Sequence, residues 1–374
     1  MLKKLFSLAY FFCFTLLLVS AITSCSNSDD NAKDLYIQAD NLAKNGEFGK
    51  AKELLRQAVD LKSDFAEGLY ALGDLYYRQS NLDTAIILLE KSINLSPDNF
   101  DAHNKLANAY NKKDLFDQAI KEYNSAIKLR PDSILCYNNL AAAYISKKEF
   151  EIGISTYQKV IELLKKHIPE YTRELLPEAY YNIANAYARQ KNFDKAINSY
   201  NDAISLKPVF PEAYYYMGLT YYNSNNKDKA QLCFEKAVSQ KSDYKLAYHD
   251  LGVLLNQKGD SAVGFNYLGL SSSLSGKYIE AIALFEQSVK MNPKSSEPYY
   301  NLGLTNALLG KNDKAIEYFT KVTEIQPKFI DAYLNLQALY QKTGNKVKSE
   351  SIAKTVAKLN SGMQSSQLKN IYKH

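Results

Sequence analysis

Apolar and small residues recur along most of this chain in one fixed order. In the stretch Ala179–Tyr187 an aromatic residue, Tyr180, is followed three positions on by Ile183 and then by the small Ala184. Tyr299, Leu302 and Gly303 repeat that order. About twelve residues later the chain reads Phe193-Asp194-Lys195-Ala196 in one case and Asn312-Asp313-Lys314-Ala315 in the other, followed by Tyr200 or Phe319 and then by Pro208 or Pro327. Residues three and four apart share a helix face. Each unit therefore predicts two helices with a small residue on each, closed by a proline, at a period of 34 residues.

In this register full repeats start near residues 32, 66, 100, 134, 177, 211, 262, 296 and 330. The eighth position is small throughout (Ala39, Gly73, Ala107, Ala141, Ala184, Gly218, Gly269, Gly303), with Gln337 departing at the end. The twentieth is Ala51, Ala85, Ala119, Gly153, Ala196, Ala230, Ala281, Ala315 and Ser349, and the thirty-second holds Pro97, Pro131, Pro208, Pro293 and Pro327. Small residues at 8 and 20 let two antiparallel helices, A and B, approach closely, while larger side chains at 4, 7, 11 and 24 fill the surrounding space. Proline lacks an N–H and pushes the preceding residue out of the helix, which separates units. This order resembles the tetratricopeptide repeat (TPR) over nearly the whole chain. The resemblance implies an all-α, right-handed superhelical solenoid of about nine helix pairs plus one half-repeat, each unit burying its apolar faces against its neighbours.

The layout expected is repeats 1–4 over 32–163, an insertion over 164–176, repeats 5–6 over 177–244, a half-repeat over 245–261, repeats 7–9 over 262–361, and a polar tail over 362–374. The insertion reads either as a lengthened helix pair or as a binding protrusion. The half-repeat has a helix A at Leu251-Gly252 and no evident helix B, unless residues 262–274 substitute for one; a local change of curvature, a seam between sub-arrays, is expected there. The tail reads as a short capping helix or a frayed end.

Residues 1–24 precede the repeats: Lys3 and Lys4, then an apolar run from Leu5 to Ile22. A basic start before an apolar run is a secretory signal, although the run approaches membrane-spanning length. Ile22-Thr23-Ser24-Cys25 resembles the lipobox of bacterial lipoproteins. That resemblance implies cleavage after Ser24, acyl chains on Cys25, and residues 25–31 as lipidated cysteine and polar tether. A plain transmembrane anchor or soluble secretion are the alternatives. Two or more acyl chains hold a protein firmly at a bilayer, and six tether residues, Ser26 to Asn31, reach roughly 20 Å. Ser26 in place of an aspartate implies the outer membrane in a Gram-negative cell envelope.

The chain has 374 residues, 30 Tyr, no Trp and a formal net charge of +6. An excess this small and dispersed does not argue for nucleic acid. Cys136 and Cys233 lie far apart within helical patterns and read as small buried residues; neither a disulfide framework nor a metal site is expected. His103, His167, His249 and His374 fall in no ligand spacing. Ser271-Ser272-Ser273 lacks the glycines of a nucleophile elbow. No cofactor, small-molecule substrate or enzymatic activity is expected.

What the resemblance leaves for function is the concave face, built in TPR arrays from positions 2, 5, 6, 9, 12 and 13 of helix A. Here those positions include Tyr70, Tyr77, Asn104, Asn108, Asn138, Asn139, Tyr181, Asn182, Asn185, Tyr215, Tyr216, Asn301 and Asn335. Asn offers both donor and acceptor to an extended main chain, and Tyr offers rigid area with a polar tip. The expected partner is a protein or extended peptide, gripped along its main chain by Asn139, Asn182, Asn301 and Asn335; helix packing is the competing role for these residues. Lys105, Asn108 and Asn139 echo part of the set with which one TPR subclass reads a terminal carboxylate, but further basic residues do not fall into register. The function expected is a membrane-anchored scaffold at the cell envelope. A pilotin-like or outer-membrane assembly factor, and a targeting module for a separate cell-wall or glycosyltransferase enzyme, are the other readings.

Overall fold

A computed structural model describes residues 29–371 apart from residue 168. The apolar run and Cys25 lie outside the described residues. Nineteen helices are described: α1 (29–44), α2 (Phe48–Leu61), α3 (Ala66–Arg78), α4 (Leu82–Leu95), α5 (Phe100–Lys112), α6 (Phe116–Leu129), α7 (Ile134–Ser146), α8 (Phe150–His167) and α9 (Pro169–Arg189), then α10 (Phe193–Leu206), α11 (Pro211–Asn223), α12 (Lys227–Gln240), α13 (Lys245–Lys258), α14 (Ser261–Leu274), α15 (Tyr278–Met291), α16 (Ser296–Leu308), α17 (Asn312–Ile325), α18 (Ile330–Lys342) and α19 (Lys346–Ile371). No strand occurs among the described residues. The chain forms two compact units, one ending at Gln190 and the other beginning at Lys191.

Within each unit the helices stack as antiparallel pairs, and the periodic positions do what their sizes predict. Position 20 is fully buried from Ala51 to Ala315 wherever it is alanine. Position 24 carries a large side chain in every pair but the last, where it is Ala353, and Leu89, Tyr123, Tyr200, Phe285 and Phe319 are completely buried there. Where position 8 is glycine, the side chain at position 24 lies over it: a Cβ on Gly218 would sit 2.7 Å from Phe234, one on Gly303 2.7 Å from Phe319, and one on Gly73 3.0 Å from Leu89. Every turn from helix A to helix B carries one left-handed residue at position 15, from Gly46 and Ser80 through Asp114, Lys148, Lys191 and Asn225 to Gly276, Gly310 and Gly344. That conformation reverses the chain in three or four residues and favours glycine and asparagine.

Gly259 belongs to the same series, with φ 90°. It occupies position 15 of a register starting at 245, so the expected half-repeat is a full one. In that register Gly252 and Gly264 fall at positions 8 and 20. They bring α13 and α14 into backbone contact, because a Cβ on Gly252 would lie 2.8 Å from the Gly264 carbonyl oxygen, and the reverse. Ser271 Oγ donates to the Lys245 carbonyl at 2.9 Å, as Ser92 does to Ala66 at 2.8 Å and Ser288 to Ala262 at 2.6 Å. Each of these joins position 27 of helix B to position 1 of helix A. Helix α14 is thus helix B of the repeat at 245 and helix A of the repeat at 262, where Gly269 lies under Phe285. Ten pairs sharing one helix account for the nineteen. Packing continues without a break from α12 to α16, which overturns the expected seam between sub-arrays at 245–261.

The other departures extend helices. The insertion at 164–176 lengthens α8 and α9, with Leu164 and Leu176 buried in the core between them; α9 runs through Pro177, where the 34-residue register would have begun its helix A. The tether is shorter than expected, since α1 is already helical at residue 29. The tail continues α19 as far as Ile371.

His103 shows how one polar side chain is accommodated in the first unit. It is 8% exposed in an aromatic slot of its repeat. Its Nδ1 lies 2.6 Å from Glu122 Oε2 and its Nε2 2.9 Å from the Pro97 carbonyl oxygen. Both partners can only accept, so both ring nitrogens donate and the imidazolium is the form that fits. The hydrogen bond to Glu122 accordingly raises the His103 pKa above 6.5, against the opposing effect of burial. A raised histidine pKa adds stability below the unfolded value of about 6.5 and loses it as pH climbs through the folded value. The first unit should therefore weaken between neutral and alkaline pH in urea titrations, and His103→Phe should flatten that dependence. A His103 imidazole titrating at or below 6.5 by NMR would refute the assignment.

Candidate functional site

The predicted face residues sit on helices A, which are held in place by the 8–20–24 packing. What the structure adds is a ladder of polar contacts between successive helices A, each made by position 6 reaching back to the preceding repeat. In the first unit the contact runs to position 9. Lys105 Nζ pairs with Asp74 Oδ1 at 2.6 Å, and Asn139 Nδ2 donates to Asn108 Oδ1 at 3.1 Å. Asn108 also accepts from the buried Tyr123 hydroxyl at 2.6 Å. In the second unit the contact runs to position 5. Asp250 Oδ2 accepts from Tyr215 OH at 2.8 Å, Asn301 Nδ2 donates to Asn266 Oδ1 at 2.9 Å, and Asn335 Nδ2 donates to Tyr300 OH at 3.2 Å.

These contacts sort the predicted site. Asn104 is buried and accepts from Cys136 Sγ at 3.4 Å, so it belongs to the interior. Tyr215 is also interior, 6% exposed among Tyr216, Tyr244 and Phe234. Asn139 and Asn301 each spend one N–H on the ladder and keep the rest of their amide capacity, whereas Asn335 also donates to the Asp331 carbonyl at 2.8 Å and keeps only its acceptor. Asn182, half-buried on α9, has no hydrogen-bond partner among the described residues. Tyr70, Asn138, Tyr181 and Asn185 are likewise half-buried, and Tyr216 is exposed. Tyr77 lies beneath two cations, with Lys112 Nζ 4.3 Å and Lys105 Nζ 5.1 Å from its ring centroid. Lys105 is thereby committed to Asp74 and Tyr77, which removes the positive charge that a carboxylate-reading set would need. The two cysteines Cys136 and Cys233 are buried free thiols, and burial pushes the Cys233 thiol up to about 12.

The shared helix moves the helix A positions from one layer to the other. Successive helices alternate between two layers, so α11, α13, α15 and α17 lie in one and α12, α14, α16 and α18 in the other. In this unit helices A are α11 and α13 in the first layer and α14, α16 and α18 in the second. Tyr215 and Tyr216 therefore lie in a different layer from Asn301 and Asn335, and the expected single face is two rows within this unit. Where they change over, the outer side of α12 joins the helix A faces of α14 and α16 to line a pocket of about 390 Å3. Its walls include Tyr248, Tyr267, Tyr300, Asn266 and Asn301, with Glu235 and Glu297. The register signals that could have located it are Gly259 and Gly264. In the first unit a second pocket, of about 340 Å3, lies between α1 and α3 and is lined by Tyr36, Asp40, Tyr70, Asp74 and Arg78 among others. Among the described residues no helix is long and apolar enough to cross a membrane.

Comparison with known proteins agrees with this architecture. TPR family models match residues 39–80, 73–114, 115–148 and 184–225 (TPR repeat) and residues 135–167, 211–244 and 296–329 (tetratricopeptide repeat). A tetratricopeptide repeat protein from Parabacteroides merdae is similar in structure at 17% identity and TM-score 0.50, covering 74% of this chain and 99% of its own. YrrB, described as a TPR protein with an unusual peptide-binding site, is similar at 19% identity and TM-score 0.42, covering 52% of this chain and 96% of its own. None of the curated proteins matches the chain in sequence. The matched repeats span more than half of the sequence, and the chain belongs to the tetratricopeptide repeat family.

Proposed function

We propose that the protein is a scaffold fixed to a bacterial envelope membrane through acyl chains on Cys25, and that its helix A rows bind an extended polypeptide. The observation that carries the reading is the row of partly exposed Asn and Tyr side chains on successive helices A, where Asn139 and Asn301 keep a donor and an acceptor, and Asn335 an acceptor, after the ladder is made. Such groups complement a main chain, and the stacked pairs beneath them hold the row rigid at little entropic cost to binding. The repeat fold itself supplies an interaction surface.

Site-specific photo-crosslinking in cells tests both halves. A crosslinker at Asn182 or Asn335 should give protein adducts, whereas one at Ile87, exposed on helix B α4, should not. Equal labelling at Ile87, or no adduct at either row, would remove the groove reading. Cys25→Ala should abolish fatty-acid labelling and leave the precursor uncleaved; persistent labelling would remove the anchor.

A further inference from the structure

The pocket at the layer change has a composition unlike the rest of the rows. Tyr248 and Tyr267 stack at 5.9 Å with 28° between their planes. Tyr300 also lines the pocket, and Glu235 and Glu297 come to it from α12 and α16. Neither carboxylate is paired with a cation among the described residues; Glu235 accepts only from the Gln231 amide, at 2.8 Å. Both are close enough to act on Tyr267, whose pKa is raised first by burial and then by the charges of Glu297 and Glu235. Asn266 is 4% exposed. Its Oδ1 is used by Asn301, while its Nδ2 has no partner among the described residues and is left to donate into the pocket.

Aromatic faces carry negative potential and attract cations, more strongly where water is partly excluded. Two uncompensated carboxylates beside such faces add to that field. A buried amide donor next to them suits a main-chain carbonyl. We infer that this pocket is a subsite for a cationic side chain, arginine or lysine, of the polypeptide bound along the helix A rows. The inference rests on the peptide-binding reading. It is opposite in sign to carboxylate recognition, and it needs the shared helix: with a separate helix B after α13, α12 and α14 would not line one pocket with α16.

The full-length protein in detergent micelles would be titrated with dye-labelled peptides Gly-Asn-Ser-Xaa-Ser-Asn-Gly, where Xaa is Arg, Lys, citrulline or Glu. Arg and Lys peptides should bind about tenfold more tightly than the citrulline peptide, the scale of one partly desolvated cation–π and charge contact. The Glu peptide should bind most weakly. The double variant E235Q/E297Q, with unchanged helicity, should remove the preference, and added salt should reduce it. Equal affinity for Arg and citrulline, a preference that survives in the double variant, or no binding by any peptide would each overturn the subsite. Binding of all peptides without preference leaves the groove reading intact, whereas loss of crosslinking at Asn182 and Asn335 sinks that reading itself.

Discussion

Gly252→Ala and Gly264→Ala will each destabilise the second unit by about 3 kcal/mol, the upper part of the range for overpacked interiors. The magnitude follows from what blocks the new methyl. At Gly252 it meets the Gly264 carbonyl oxygen at 2.8 Å and the Leu268 amide nitrogen at 3.0 Å. At Gly264 it meets the Gly252 carbonyl oxygen at 2.8 Å and the Asn256 side chain. Backbone on both sides cannot step aside as the end of a side chain can, so α13 and α14 must separate. Because α14 also packs on α15, the loss should spread to both repeats that share it. Hydrogen exchange should show faster opening of α13, α14 and α15, with protection in α3–α6 unchanged. Gly49→Ala is the control: nothing lies within 4 Å of its added Cβ, and it should be neutral or slightly stabilising. Unaltered protection across α13–α15 in the Gly252→Ala and Gly264→Ala variants would contradict the shared-helix packing.

The helix pairs were legible in the sequence because three positions decide them. A small residue at 8, a small residue at 20 and a large one at 24 are packing requirements of one contact, repeated under the same geometry, so they recur as letters. The shared helix was less legible for a different reason. Its signals were present, since Gly259 and Gly264 hold positions 15 and 20 of a register starting at 245. But α14 also carries the helix A signature at Leu268 and Gly269, so the sequence offers residues 262–274 as a helix B only as the alternative reading. A helix apolar on two sides has no clear amphipathic stripe to betray either partner. The site was half legible. Helix A positions follow from the register. Whether Asn139 faces Asn108 or open solvent depends on how far successive helices A are offset. That offset places position 6 against position 9 in the first unit and position 5 in the second. Asn104, at a predicted groove position, points into the interior instead, because its neighbour Cys136 is small enough to admit the amide.

The 8–24 contact makes a quantitative prediction, because the chain already contains it in several versions. Glycine at 8 meets phenylalanine at 24 in Gly218/Phe234, Gly269/Phe285 and Gly303/Phe319 and leucine in Gly73/Leu89, while alanine at 8 accompanies leucine in Ala39/Leu55 and tyrosine in Ala107/Tyr123. Gly303→Ala alone will set a methyl 2.7–2.8 Å from three carbons of the fully buried Phe319 ring, at a cost of about 2 kcal/mol. Phe319→Leu alone will leave unfilled space above Gly303 and cost about 1–2 kcal/mol, less than the roughly 3–5 kcal/mol expected for Phe319→Ala. Combined, G303A/F319L reproduces the Ala39/Leu55 pairing: the added methyl occupies space the shorter side chain vacates. The double variant should therefore be more stable than the sum of the singles by about 1 kcal/mol or more, within the range measured for residues in contact. Urea unfolding of the four proteins closes the cycle, followed by exchange in α16 and α17 because array unfolding is not reliably two-state. Additive costs would mean that the glycine at position 8 is not there to receive the ring.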